Sequence, residues 1–102
     1  MSDMTTPWLG FSFLYFAPRL GEQHHRWFGR LAHHGYAGAE LPVVAATDPE
    51  LSAMRRALDA EGLGATAVGF ATAEANPLDA DPAIRRAAVE HLARLADKAA
   101  TL

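Results

Sequence analysis

Three short apolar blocks, each followed by a helical pattern, set the layout of the chain. Leu9–Phe16 (LGFSFLYF), Ala37–Val44 (AGAELPVV) and Gly64–Ala71 (GATAVGFA) are bounded by Gly, Pro or polar residues and read as buried strands. After each block the apolar period lengthens. In Glu22–His34, Trp27, Phe28, Leu31 and Ala32 share one helical face, and Gly35 follows as a stop. Asp48 reads as an N-cap, with Pro49 at the first helical position and Glu50 suiting the positive end of the dipole. Leu51, Met54 and Leu58 form the stripe of that second helix; Gly62 ends it and Leu63 supplies the hydrophobic contact after the cap. Asp81 and Pro82 repeat the start signal, and Ile84, Ala88, Leu92, Leu95 and Ala99 then recur every three or four residues. Ala17–Gly21 and Thr72–Ala80 read as loops, and residues 1–7 as a disordered lead-in to a single domain over 8–102.

The strands begin near residues 9, 37 and 64, a period of about 27–28 residues. A steady β/α unit of that size suits a (β/α)8 TIM barrel, which takes about 250 residues. The expected fold is therefore α/β: the N-terminal three β/α units of such a barrel, incomplete.

Strand alternation predicts which side chains face the barrel interior. In the first strand, Phe11, Phe13 and Tyr15 are expected against helices, with Ser12, Leu14 and Phe16 facing inward. In the second, Ala39 and Leu41 face helices and Gly38, Glu40 and Pro42 face inward. In the third, Thr66, Val68 and Phe70 face inward, leaving Ala65, Ala67 and Gly69 as small seats for helices. Glu40 is the informative residue, because a carboxylate inside a barrel is costly unless paired or hydrogen-bonded. Either it forms a structural ion pair with an Arg or Lys, or it serves substrate or metal.

Composition narrows the function classes. Half of the 102 residues are hydrophobic and 21% are charged, as in a globular domain. The net charge of −3 with no basic cluster argues against nucleic acid and against an anionic membrane surface. There is no cysteine, which removes disulfides, thiol nucleophiles and thiolate metal sites. The opening MSDMTTP lacks the pattern of a secretory signal, and no apolar run is long enough to span a bilayer, so the expected setting is the cytoplasm.

Two histidine pairs, His24-His25 and His33-His34, invite a metal site, but helix geometry disfavours it. His24 and His33, like His25 and His34, lie nine residues apart, about 900° around the axis and so on opposite sides. His25 and His33 differ by only about 80° but lie about 12 Å apart along the axis. These side chains, and His91, read as solvated or border residues. No Gly-rich loop precedes a helix, so phosphate binding has no support here. Asn76-Pro77 reads as a turn.

The segments GFSFLYF, GYAGAELPVV, EGLGATAVGFA and ANPLDADPAIRRAAVEHLARLADKAA, in this order, resemble the start of xylose-isomerase-like sugar (phosphate) isomerases and epimerases, in particular the D-tagatose/D-psicose 3-epimerase branch. The resemblance implies a TIM barrel that uses a divalent metal (Mn, Co or Mg). It implies two carboxylates shuttling a proton beside a sugar carbonyl. The family's metal ligands, two glutamates, an aspartate and a histidine, sit on strands after the third and map onto no residue here. No metal or catalytic residue is thus expected on this chain, nor turnover by it alone. What carries over is the wall of the sugar pocket: Ser12, Phe16 and Val68, with Phe70 nearby, and Glu40 at the family's carboxylate position on the second strand. Ser12 replaces a larger aromatic and Val68 a small or thiol residue, which leaves the sugar open.

The leading expectation is thus a fragment of a metal-dependent sugar isomerase or epimerase acting on a small sugar. One alternative is a non-catalytic α/β module that self-associates as a homo-oligomer through the exposed third strand. Another is a different reaction of the superfamily, of the hydroxypyruvate isomerase or inosose dehydratase type.

Overall fold

The computed structural model describes residues 8–102; the expected disordered lead-in over 1–7 lies outside the described residues. Three parallel strands form one open sheet in the order β1 (Gly10–Ser12), β2 (Gly38–Pro42), β3 (Gly64–Val68). Helix α1 (Arg26–His33) connects β1 to β2, α2 (Asp48–Ala60) connects β2 to β3, and α3 (Pro82–Thr101) follows β3. This is the β/α order expected from the sequence. Among the described residues no helix is long and apolar enough to cross a membrane.

The core lies between the sheet and the helices. Ala39 and Leu41 of β2 are fully buried there with Phe28, Leu51, Met54 and Leu58, while Ala65, Ala67 and Leu95 pack against the same cluster. The alternation expected for β2 and β3 therefore holds. Gly69 is a seat for α3: a Cβ there would lie 2.6 Å from Leu95 Cδ1. Among the described residues no helix covers the opposite face, which carries Ser12, Glu40 and Thr66.

Both predicted glycine stops are real. Gly35 and Gly62 have φ of 85° and 69°, the left-handed region that a Cβ disfavours. Each closes a pair of bonds, Tyr36 N–H to Leu31 O with Gly35 N–H to Ala32 O, and Leu63 N–H to Leu58 O with Gly62 N–H to Asp59 O. Leu58 and Leu63 are both buried, the apolar contact such a cap favours.

Local expectations are corrected in three stretches: the first β/α unit, the start of α2 and the stripe of α3. The first strand stops at Ser12, and Phe13–Tyr15 form a 3-10 turn in which Phe16 N–H donates to Phe13 O. In an extended strand Phe13 and Phe16 point to opposite faces; at three residues per turn they point the same way. Their rings lie 5.2 Å apart, Phe13 is 4.9 Å from Phe28, and Phe16 stacks on Trp27 at 5.5 Å. Aromatic burial has overridden strand alternation, and it leaves Tyr15, expected against helices, 79% exposed. The predicted helix over Glu22–His34 likewise divides into a 3-10 turn at Glu22–His24 and α1, with His24 Nδ1 accepting from Gly21 N–H.

Second, the cap of α2 is Thr47, one residue before Asp48. Its hydroxyl accepts from Glu50 N–H while the Glu50 carboxylate accepts from Thr47 N–H, a reciprocal capping box. Arg19 adds a bidentate pair to Glu50 at 2.8 and 3.3 Å. These bonds, led by the Arg19 guanidinium and then the Thr47 hydroxyl, hold the Glu50 carboxyl down to about 2. Asp81 caps α3 as expected, accepting from Ala83 N–H.

Third, the apolar stripe of α3 splits. Ala88 is buried and Ile84 and Leu95 are half-buried, but Leu92 is 52% exposed, and Ala99 is exposed too. The flank of α3 bearing Arg94 and Thr101 faces α2, where Arg55 donates to Thr101 O. Leu92 lies about 200° from Arg94 around the axis, on the flank away from α2.

Candidate functional site

The register of the sheet builds the candidate site. Ser12 is paired with Glu40, and Glu40 with Thr66. A hydroxyl, a carboxylate and a hydroxyl thus form one row across the uncovered face. One step toward the strand ends, Pro42 is paired with Val68 on the same face. One step the other way lies a row of glycines, Gly10, Gly38 and Gly64. These glycines make room for the indole of Trp8: a Cβ on Gly10 would meet its Cζ3 at 2.8 Å, and a Cβ on Gly64 its Cζ2 at 3.3 Å. Gly38 is the most constrained, since its Cβ would also meet Gly64 O at 2.5 Å. The indole therefore lies across the start of all three strands and floors the polar row.

Pro42 occupies the end of a central strand, where a missing N–H normally breaks the ladder. Val43 N–H donates to Val68 O, so the residue before it points its vacant position toward β1. By that level β1 has already left the sheet at Ser12. The turn that buries Phe13 and half-buries Phe16 thereby removes the partner that Pro42 could not have served.

Of the residues expected at the site, Ser12, Glu40 and Val68 come together on one face. Glu40 is half-buried, and among the described residues it makes no ion pair and no side-chain hydrogen bond. A structural pair with Arg or Lys is therefore not formed within this part of the chain. Phe70 lies beyond β3 and is 44% exposed. Its carbonyl is held by His91 Nε2 at 2.8 Å, so His91, half-buried at the helix border as expected, also tethers the chain after β3. Phe16 is the correction. The 3-10 turn carries it off the polar face onto Trp27 and His24, on the α1 side. It backs the end of β1 instead of lining the polar row.

Two contributors escaped the sequence reading. Trp8 does so because a lone aromatic before a strand has no periodic partner; the signal was the glycine at the same register of all three strands. Lys98 sits on a helix face where a solvated role is the default, yet its ammonium donates to Val44 O at 2.8 Å and Val43 O at 3.2 Å.

The residues present do not fit a divalent metal. Among the described residues no three His, Cys, Asp or Glu side chains converge, and Glu40 is the single carboxylate on the uncovered face. Burial pushes His25 below the ordinary imidazole value, and its ring stacks on Phe28 at 5.4 Å, a packing role. A row of one carboxylate between two hydroxyls can both accept and donate hydrogen bonds.

No protein-family model and no curated protein sequence matches the chain. Solved structures do. A D-psicose 3-epimerase crystallised in the presence of D-fructose superimposes with a TM-score of 0.73 at 20% identity, over 90% of this chain and 33% of that one. The D-psicose 3-epimerase of Clostridium cellulolyticum with D-tagatose gives 0.70 at 20% identity, over 87% and 32%. The chain spans about a third of the length of these proteins. Its three parallel strands and their helices have the fold of the N-terminal part of a TIM-barrel epimerase, with the sheet open.

Proposed function

We propose that this chain is the N-terminal portion of a sugar isomerase or epimerase that moves a proton beside a ketose carbonyl. The observation that carries the reading is the row Ser12–Glu40–Thr66 on the uncovered face of a sheet that has the epimerase fold. In a closed barrel that face becomes the interior, where a carboxylate flanked by hydroxyls suits sugar hydroxyls. Ser12, Glu40, Val68 and Phe70 form part of the substrate wall. Proton abstraction beside a carbonyl needs a base in reach and stabilisation of the enolate. In this reading a divalent metal (Mn, Co or Mg) and the carboxylate bases sit on strands following β3, and this chain by itself turns over no sugar. A cytoplasmic role in carbohydrate metabolism accompanies the proposal.

The test is a chimera in which residues 8–102 replace the matching N-terminal part of a D-psicose 3-epimerase. With Mn²⁺ added, the folded chimera is expected to interconvert ketohexoses, with Glu40→Ala lowering the rate at least about tenfold. A chimera that is folded and metal-loaded yet inert on every ketose refutes the reading. Turnover of a ketose by the isolated chain refutes the division of labour.

A further inference from the structure

The histidine pair His24-His25 joins the 3-10 turn at Glu22–His24 to α1, and both rings are engaged. His24 Nδ1 accepts from Gly21 N–H at 2.9 Å, and its ring lies 5.9 Å from that of Phe16. An accepting Nδ1 carries no proton, so the turn holds His24 as the neutral ring with its hydrogen on Nε2. His25 stacks on Phe28 at 5.4 Å, and its carbonyl accepts from Phe28 N–H at the opening of α1. Few charges here can answer a proton. Glu22 is the carboxylate of the turn, while the first turn of α1 contains no acid and begins with Arg26. From the end of β1, uncharged Phe16 faces His24. Across a cleft toward α2, His25 faces Leu20, Pro49, Met54 and Glu50, whose carboxylate is already paired with Arg19. Positive charge at the start of a helix also opposes the helix dipole.

We propose that His24 and His25 form an acid-released latch between the end of β1 and α1: neutral rings hold the turn closed, and protonation opens it. A proton on His24 Nδ1 sets two N–H groups against each other where one bond stood, so the ring leaves Gly21. A proton on His25 charges a half-buried ring packed on Phe28. Helix α1 spans only Arg26–His33, so loss of its lead-in turn reaches Trp27, on which Phe16 stacks at 5.5 Å. Phe16 backs the end of β1, and the latch therefore holds the turn that follows Ser12. Burial holds the His25 imidazole below its ordinary 6.5; Glu22 pulls the other way, and the neighbouring His24 adds to the lowering. The unfolded chain thus binds this proton more readily than the folded one. The stabilisation from neutral His25 is complete above pH 6.5 and is lost as the pH falls below it. The inference rests on this loop alone and stands apart from the sugar chemistry proposed above.

The test is NMR of the intact chain, isotope-labelled at histidine, between about pH 7.5 and about pH 5. The Glu50–Arg19 pair is lost only below pH 4.5, outside that window. At the upper end His24 is expected as the Nε2–H tautomer, with ring-proton contacts between Phe16 and Trp27; at the lower end those contacts are expected to vanish. In the double variant His24→Asn, His25→Phe, an amide oxygen takes the place of Nδ1 and a ring that cannot titrate keeps the stack. There the contacts are expected at both ends, although His33, His34 and His91 still titrate. Circular dichroism checks its helices, and His24→Asn alone is expected to lower the pH at which the contacts disappear. Wild-type contacts that persist at the lower end, a double variant that loses them as the wild type does, a single variant with no shift, or a hydrogen on His24 Nδ1 at the upper end would each overturn the proposal.

Discussion

The ammonium of Lys98 stands 2.8 Å from the backbone carbonyl of Val44, fifty-four positions earlier in sequence. With the second bond to Val43 O, it fastens the last helix to the chain leaving the central strand. Val43 O also accepts from Ala46 N–H at 3.2 Å, so among the described residues Val44 O is the carbonyl that depends on the ammonium. Replacing Lys98 with Met keeps the stem and removes the donors. The expected loss is about 1–3 kcal/mol, read from the urea midpoint.

Gly38 and Gly69 look alike in the sequence and differ in what surrounds them. A Cβ at Gly38 meets the backbone oxygen of Gly64 at 2.5 Å as well as the Trp8 ring, and a neighbouring strand cannot move aside. A Cβ at Gly69 meets the end of the Leu95 side chain, which can rotate. Gly38→Ala should cost about 1–3 kcal/mol. Gly69→Ala should cost under about 1 kcal/mol in the same denaturation assay.

The division of the α3 stripe is measurable too. Leu95 packs against the core cluster, whereas Leu92 does not. Leu95→Ala is expected to lose about 2 kcal/mol. Leu92→Ala should stay within about 0.5 kcal/mol when measured on dilute chain. Equal losses would mean that the helix is rotated relative to the orientation described above.

Glu50 gives a pH signature. Its carboxyl is held at about 2 against an ordinary 4.5, through Arg19 first and Thr47 next. The folded state therefore binds its proton less readily than the unfolded state. The stabilisation is complete above pH 4.5 and is lost as pH falls from there toward 2. Glu50→Gln should flatten the stability profile in that window, and added salt should shrink the effect because the pair is exposed. Thr47→Ala removes the cap and should cost about 1 kcal/mol at neutral pH.

Periodicity and caps made most of the architecture readable in advance. The small inward and outward alternation of Ala39, Glu40 and Leu41, the Gly35 and Gly62 stops, and the Leu51–Met54–Leu58 stripe all behaved as local chemistry dictates. What was not legible depended on partners distant in sequence. Phe16 left the polar face because Trp27, together with Phe13 seated on Phe28, offered more burial than strand alternation could. Leu92 looked like core because pattern alone cannot separate a face turned to the sheet from an exposed flank. Lys98 and Trp8 act through backbone atoms and glycine hydrogens, which carry no side-chain signal.

The face on which Glu40 lies decides the rest, and inter-strand proton contacts in the NMR spectrum of the labelled chain measure it directly. The account predicts contacts that set Ser12 opposite Glu40 and Glu40 opposite Thr66, with the Trp8 indole shielding the α-protons of Gly38. A register displaced by one residue, with Glu40 turned toward Leu51 and Met54, would contradict it.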